Sequence, residues 1–69
     1  MIYEVHYYRY GYEQEPKRFS TLNEAADWAY RGSVEHTYYV EWALNTVDRQ
    51  IYRRHELLEL GEKRAAKNR

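Results

Sequence analysis

The side chains able to do chemistry are few and badly grouped. His6, His36 and His55 are the only imidazoles, and no two are close in sequence. The segment His55-Glu56-Leu57-Leu58-Glu59 has the outline of a zinc-protease helix, but Glu stands where a second His is required. Without two nitrogens on one helix face, that motif holds no metal. Cysteine is absent, which excludes a thiol nucleophile, a disulfide framework and any thiolate metal site. Ser20 and Ser33 flank the clearest helix and read as cap and turn residues, not nucleophiles. Gly11, Gly32 and Gly61 are isolated, so no glycine-rich loop can cradle a phosphate. Glu13 and Glu15 come nearest to a carboxylate pair, yet they lie in a loop with no walls to shift their acidity. A chain of 69 residues can hardly enclose alone the roughly 300 Å³ of a reaction cleft. The expectation is a non-enzymatic protein with no metal and no cofactor.

The unusual feature is a set of tyrosines and arginines. Nine Tyr and two Trp stand beside only 12 residues of Ile, Leu, Val and Phe among 69. That aliphatic fraction is below the roughly 20% at which disorder sets in, but the high net charge of disordered chains is missing. Tyr3, Tyr7 and Arg9 share one face of a first strand, and Tyr39 falls on the outer face of a later one, with Arg49, Arg53 and Arg54 after it. Tyrosine gives large, rigid contact area at low entropic cost, and with Trp and Arg it is enriched at protein interfaces. The same residues can stack on bases and hold phosphates. They can also simply replace missing aliphatics in a core, since each ring buries about 150–250 Å². These readings give three expectations: aromatic core filling, a protein-binding or self-associating surface built as a homodimer, and, as the alternative, a nucleotide or nucleic-acid binding face. The last is weakened by balanced charge, with 11 basic and 11 acidic residues.

The elements that must position these residues can be read from periodicity. Residues 2–12 read as a strand rich in Tyr and Val, with Ile2, Glu4, His6, Tyr8 and Tyr10 on one side and Tyr3, Val5, Tyr7 and Arg9 on the other. Neither side is purely polar, so the buried one stays open. Glu13-Gln14-Glu15-Pro16 is a loop, and Lys17-Arg18-Phe19 returns as a short strand. Thr21-Leu22-Asn23-Glu24 is a capping box that starts a helix over 22–31, with Leu22, Ala25, Ala26 and Ala29 as its packing face. Asp27 and Arg31 are spaced to pair on its solvent side, and Gly32 is the expected stop. Residues 34–44 alternate as a strand, with Tyr38, Val40, Trp42 and Leu44 taken as the core face. A turn follows, centred on Asn45-Thr46 or Asp48-Arg49, and Ile51–Arg54 returns. His55–Leu60 is helical, Leu57 and Leu58 facing inward, and Gly61 interrupts it. The fold class is therefore α+β: a small antiparallel sheet of three to four strands, one packed helix and a short C-terminal helix. Residues 1–61 form a single domain and 62–69 a basic tail prone to fraying.

Charge is balanced overall but not along the chain. Residues 1–48 carry four basic and eight acidic side chains, and residues 49–69 carry seven and three. This pattern allows head-to-tail self-association or contact with an acidic partner. No apolar run is long enough to cross a membrane, and the first residues lack the charge and apolar stretch of a secretory signal, so the expected location is cytoplasmic. The order of features, a Tyr-rich opening strand (Ile2 to Tyr10), Phe19-Ser20-Thr21-Leu22-Asn23-Glu24-Ala25-Ala26, an aromatic strand through Trp42, Val47-Asp48, Ile51-Tyr52-Arg53 and a leucine-bearing end, resembles the short orphan accessory proteins of actinobacterial bacteriophages. The resemblance implies a non-catalytic viral protein that binds a host protein or a small defence signal.

Overall fold

The computed structural model describes residues 2–67. Alternation of large side chains gives β1 (Tyr3–Arg9), and Tyr10-Gly11 turns the chain into β2 (Tyr12–Glu13). Pro16 cannot donate to a ladder, so the return strand is broken and resumes as β3 (Lys17–Phe19). Both pieces pair antiparallel with the same edge of β1: Tyr8 opposite Glu13, and Tyr3 to Val5 opposite Phe19 to Lys17. The Gln14 amide bridges the gap by donating to the Tyr7 carbonyl at 3.0 Å.

Helix α1 (Leu22–Glu35) starts as expected. Thr21 is its N-cap, extended in backbone, and its Oγ1 accepts the Glu24 amide at 3.1 Å. The reciprocal bond is made by the Thr21 hydroxyl, which donates to Glu24 Oε1 at 3.0 Å. Such a cap is worth about 1 kcal/mol. The helix does not stop at Gly32. It runs another turn to His36, which takes the left-handed C-cap conformation at φ 56°. Gly32 is needed for a different reason: a Cβ there would collide with the Tyr38 ring, which lies against the helix at that point. Val34 and Glu35, read as strand, are thus the last turn of α1.

Strand β4 (Tyr39–Asn45) pairs with β1, and β5 (Ile51–Arg53) pairs with β4, giving the order β2-β1-β4-β5 with β3 also paired to β1. All the pairings are antiparallel. The register of β4 corrects the expected core face. Trp42 opposes His6 but Val40 opposes Tyr7, so Glu41 is an extra, bulged residue. One inserted residue reverses the alternation. Val40, Ala43 and Asn45 face inward, and Trp42 and Leu44 turn to the other side. Ile51, opposite Leu44, goes with them and is 53% exposed. The turn from β4 spans both expected centres. Asn45 Oδ1 accepts the Val47 amide at 2.9 Å, Asp48 Oδ1 accepts the Gln50 amide at 2.9 Å, and Arg49 is left-handed at φ 66°.

Strand β5 passes directly into α2 (Arg54–Lys67), and Glu56 Oε1 accepts the Arg53 amide at 3.1 Å to cap its start. Gly61 does not break this helix. It is buried where α2 crosses α1, and a Cβ there would sit 2.5 Å from the Ala26 carbonyl oxygen and 2.5 Å from Tyr30 Cβ. The absent side chain is what lets the helices approach. Residues 62–67, expected to fray, continue the helix, and Asn68 and Arg69 lie outside the described residues. Arg64 fixes this part by a two-pronged ion pair to Asp27, with Nε to Oδ1 2.8 Å and a terminal nitrogen to Oδ2 3.1 Å. Asp27 therefore pairs across the helices and not with Arg31.

Both helices cover one side of the sheet. The core between them is Tyr3, Val5, Ala25, Ala26, Ala29, Val40, Ala43 and Leu57. Its small residues bring helix and sheet close, as the alanine spacing implied. Around it stands an aromatic layer: Trp28 stacks on Tyr38 at 4.0 Å and meets the edge of Tyr7 at 4.8 Å, with Phe19 at 5.7 Å. No described helix is long and apolar enough to cross a membrane.

Candidate interaction face

Among the described residues no element covers the second side of the sheet. Reading the register across it, one row is Arg18, Glu4, Leu44 and Ile51, the next is His6, Trp42 and Arg53, and the third is Glu13, Tyr8 and Tyr39. An antiparallel sheet can leave one face to water, but such a face is ordinarily polar. Here its middle is aromatic and aliphatic, and charges ring it.

At the centre His6 and Trp42 stack, with ring centroids 3.8 Å apart and 13° between planes. This pair occupies adjacent strands beside the Glu41 bulge, with the two rings nearly parallel to one another. His6 Nε2 is buried and has no hydrogen-bond partner among the described residues; Glu4 Oε1 is 3.8 Å away. Glu4 is itself bound to Arg18, 3.2 Å from its Oε2. Tyr8 lies between Glu41 and Glu13, whose negative charges, more than its slight burial, raise its pKa above the ordinary 10.0. Tyr39 is 50% exposed and carries the Arg54 guanidinium 3.9 Å above its ring. A second bond, from an Arg54 terminal nitrogen to the Val40 carbonyl at 2.8 Å, fixes that stack. Cation–π contact of this kind holds a guanidinium in place while leaving its edge free.

The expected surface set is thus divided. Tyr39, Arg53 and Arg54 come together at one end of the open side. Arg49 lies apart, exposed in the turn after β4. Arg9 is exposed at the end of β1, its guanidinium 5.8 Å from the Tyr38 ring. Tyr3 and Tyr7 do not belong to any surface: Tyr3 is 8% exposed in the core, receiving a bond from Asn45 Nδ2 at 3.4 Å, and Tyr7 packs among Trp28 and Tyr38. The reason is that β1 turns its Tyr3-Val5-Tyr7 side to the helices. Trp42 was missed because the Glu41 bulge is invisible in an alternating stretch, and His6 and Tyr8 because neither side of β1 is purely polar. The signal that could have found the face was on β1, where Glu4, His6 and Tyr8 make the more polar side.

Among the described residues no group of three or more His, Asp and Glu is placed to hold a metal ion. No protein-family model, curated protein or solved structure matches the chain.

Proposed function

We propose that the protein is a small non-catalytic binding module that works through the open side of its sheet, and that the surface it recognises first is the same face of a second copy. The observation that carries this is the His6–Trp42 stack, flanked by Leu44, Ile51, Tyr8 and Tyr39, with no described element over it. Trp and Tyr in the middle of a patch, with Arg at its rim, is the composition of interface hot spots.

Charge favours a second copy. A two-fold axis in the plane of the faces, parallel to the strands and between β1 and β4, lays β1 over β4 and the β2–β3 edge over β5. Glu13 then falls over the partner's Arg54, and Tyr8 meets the partner's Tyr39 and Glu41. Arg18, on the same β2–β3 edge as Glu13, falls over the partner's Ile51, so the charge match is local to Glu13 and Arg54. Nucleic acid fits this face less well, because Glu4, Glu13 and Glu41 balance Arg18, Arg53 and Arg54. The face is four strands wide and about seven residues long, or about 19 by 23 Å. Two such faces bury an area at the low end for specific complexes, so the association is concentration-dependent and not obligate. The resemblance to phage accessory proteins supports binding over catalysis and makes a host protein the next partner to seek.

The test is sedimentation velocity from about 10 μM to about 1 mM, the range suited to a small interface. The expected mass rises from 8.5 kDa toward twice that value. Trp42→Glu holds it at the monomer with the helical circular dichroism unchanged. A native chain that stays monomeric throughout rejects self-association, and a Trp42→Glu variant that still dimerises moves the interface elsewhere.

A further inference from the structure

At the centre of the open face, His6 Nε2 is buried and lacks a hydrogen-bond partner among the described residues. We infer that His6 makes self-association through this face proton-linked: the neutral imidazole lets a second copy dock, and the imidazolium drives it off. The inference rests on the self-association proposed above and adds its regulation.

Imidazole is the side chain whose ordinary change of charge falls between about pH 5 and 8. His6 lies face to face with Trp42, ring centroids 3.8 Å apart, and only 22% of its side chain is exposed. The charges around it are already balanced. On its own strand, Glu4 Oε1 is 3.8 Å from Nε2, and the other Glu4 oxygen is held by Arg18 of β3 at 3.2 Å. From β4 the bulge residue Glu41 acts on Tyr8, the next residue of β1 on this side, and from β5 Arg53 stands opposite Trp42. Lys17, opposite Val5, belongs to the helix side. Glu4 and Glu41 thus cancel Arg18 and Arg53, and a neutral imidazole sits among charges that sum to zero. Further out, Glu13 and Arg54 offset each other in the same way. Tyr8, its pKa raised above 10.0 chiefly by Glu41, does not titrate in this range.

Protonation acts differently on the free and the paired subunit. In the free subunit, water reaches the exposed part of the ring, and Glu4 is near enough to draw toward Nε2 and give that nitrogen the partner it lacks. In the pair, laying β1 over β4 puts each His6 over the partner's Trp42. The partner's Leu44 comes over Glu4 and the partner's Glu41 over Tyr8, so no acid arrives at the imidazole itself. Water is excluded there, and two imidazolium charges enter one small interface whose other charges already cancel. Taking a charge out of water without a new partner is costly. The charged form is therefore favoured in the free subunit. Association is complete above the ordinary histidine range and is lost as pH falls through it.

The experiment measures the dimer dissociation constant of the full chain by sedimentation equilibrium at about pH 7.5 and about pH 5.5, at one ionic strength, with circular dichroism at each. Kd is expected to rise by about 10-fold or more on acidification, with the helical signal unchanged. His36 and His55 are exposed, at the end of α1 and the start of α2, and serve as controls. Replacing both, by His36→Asn, which tolerates the left-handed cap, and His55→Gln, keeps the pH dependence. His6→Gln, which takes up no charge, reduces it to less than about 2-fold. Where His6→Gln weakens the dimer by loosening the stack, nuclear magnetic resonance titration of the native imidazoles decides. The His6 midpoint is expected to lie about half a pH unit or more lower at about 1 mM than at about 20 μM. The same Kd at both pH values, tighter association in acid, a pH dependence kept by His6→Gln, a His6 midpoint indifferent to concentration, or a helical signal lost together with association overturns the inference and leaves self-association standing. A native chain that is monomeric at every pH and concentration overturns both.

Discussion

On the helix side of the sheet, Val5, Val40 and Ala43 are wholly buried, and the rings next to them are locked by neighbours on several sides. On the other side, one residue along the same strands, Trp42, His6, Tyr8 and Tyr39 touch each other and the charges around them but nothing above. Both sides are aromatic. The difference is what the aromatic rings rest against. Tyr38 has the bare backbone of Gly32 beneath it, Trp28 along it and a carbonyl at its hydroxyl. Trp42 has one stacked imidazole. Tyrosine in this chain therefore does two jobs, and burial, not residue type, separates them: inside it replaces aliphatic volume, outside it offers flat area for recognition.

The contrast can be broken most severely from the inside. Leu57→Ala removes the largest wholly buried side chain and is expected to cost about 3 kcal/mol, against less than about 1 kcal/mol for Leu44→Ala on the open side. Urea melts of the two variants measure it, and equal losses would mean that the open face is part of the core. Gly32→Ala drives a methyl into the Tyr38 ring and should destabilise by about 2 kcal/mol, although alanine is the better helix former. A stabilised Gly32→Ala variant would show that Tyr38 can swing away. Tyr38→Phe deletes the bond to the Trp28 carbonyl and should cost about 1 kcal/mol, with the stack retained.

The smallest effect separates the faces by the origin of their pKa shifts. Tyr8, Tyr38 and Tyr52 all titrate above 10.0, Tyr8 chiefly through Glu41 and Glu13, Tyr38 and Tyr52 chiefly through burial. A tyrosine with a raised pKa favours the folded state while protonated. That contribution is complete below pH 10.0 and is lost as pH rises through the folded-state pKa values. Stability should therefore fall on the alkaline side of 10.0. Added salt screens charges but not burial, so it should return Tyr8 toward 10.0 and move Tyr38 and Tyr52 less, since burial is their largest cause. Phenolate absorbance of the native chain and of Tyr8→Phe at two ionic strengths reads this directly.

Much of the frame was legible. The Thr21-x-x-Glu24 cap, the alanine face after it and the turn-forming run from Asn45 are local signals, because the atoms that satisfy one another lie within a few residues. Tyr39 and Arg53, named for an outward position and a charge, are exposed, and Arg54 is half-buried against Tyr39. The interior glycines were not legible. Gly32 and Gly61 looked like helix stops, as glycines after helical runs ordinarily are, and each is instead a contact point for a distant partner, Tyr38 or Ala26.

From the order of residues alone came the class of fold, the start of α1, the lack of thiol chemistry and the excess of tyrosine over aliphatics. These follow from composition and from short-range hydrogen bonding. Only the packed structure decided which tyrosines are hidden. A strand's side chains alternate with a period of two, so the single extra residue at Glu41 exchanges inside for outside along the rest of β4. That bulge exists only through pairing with β1, a partner more than thirty residues away in the chain.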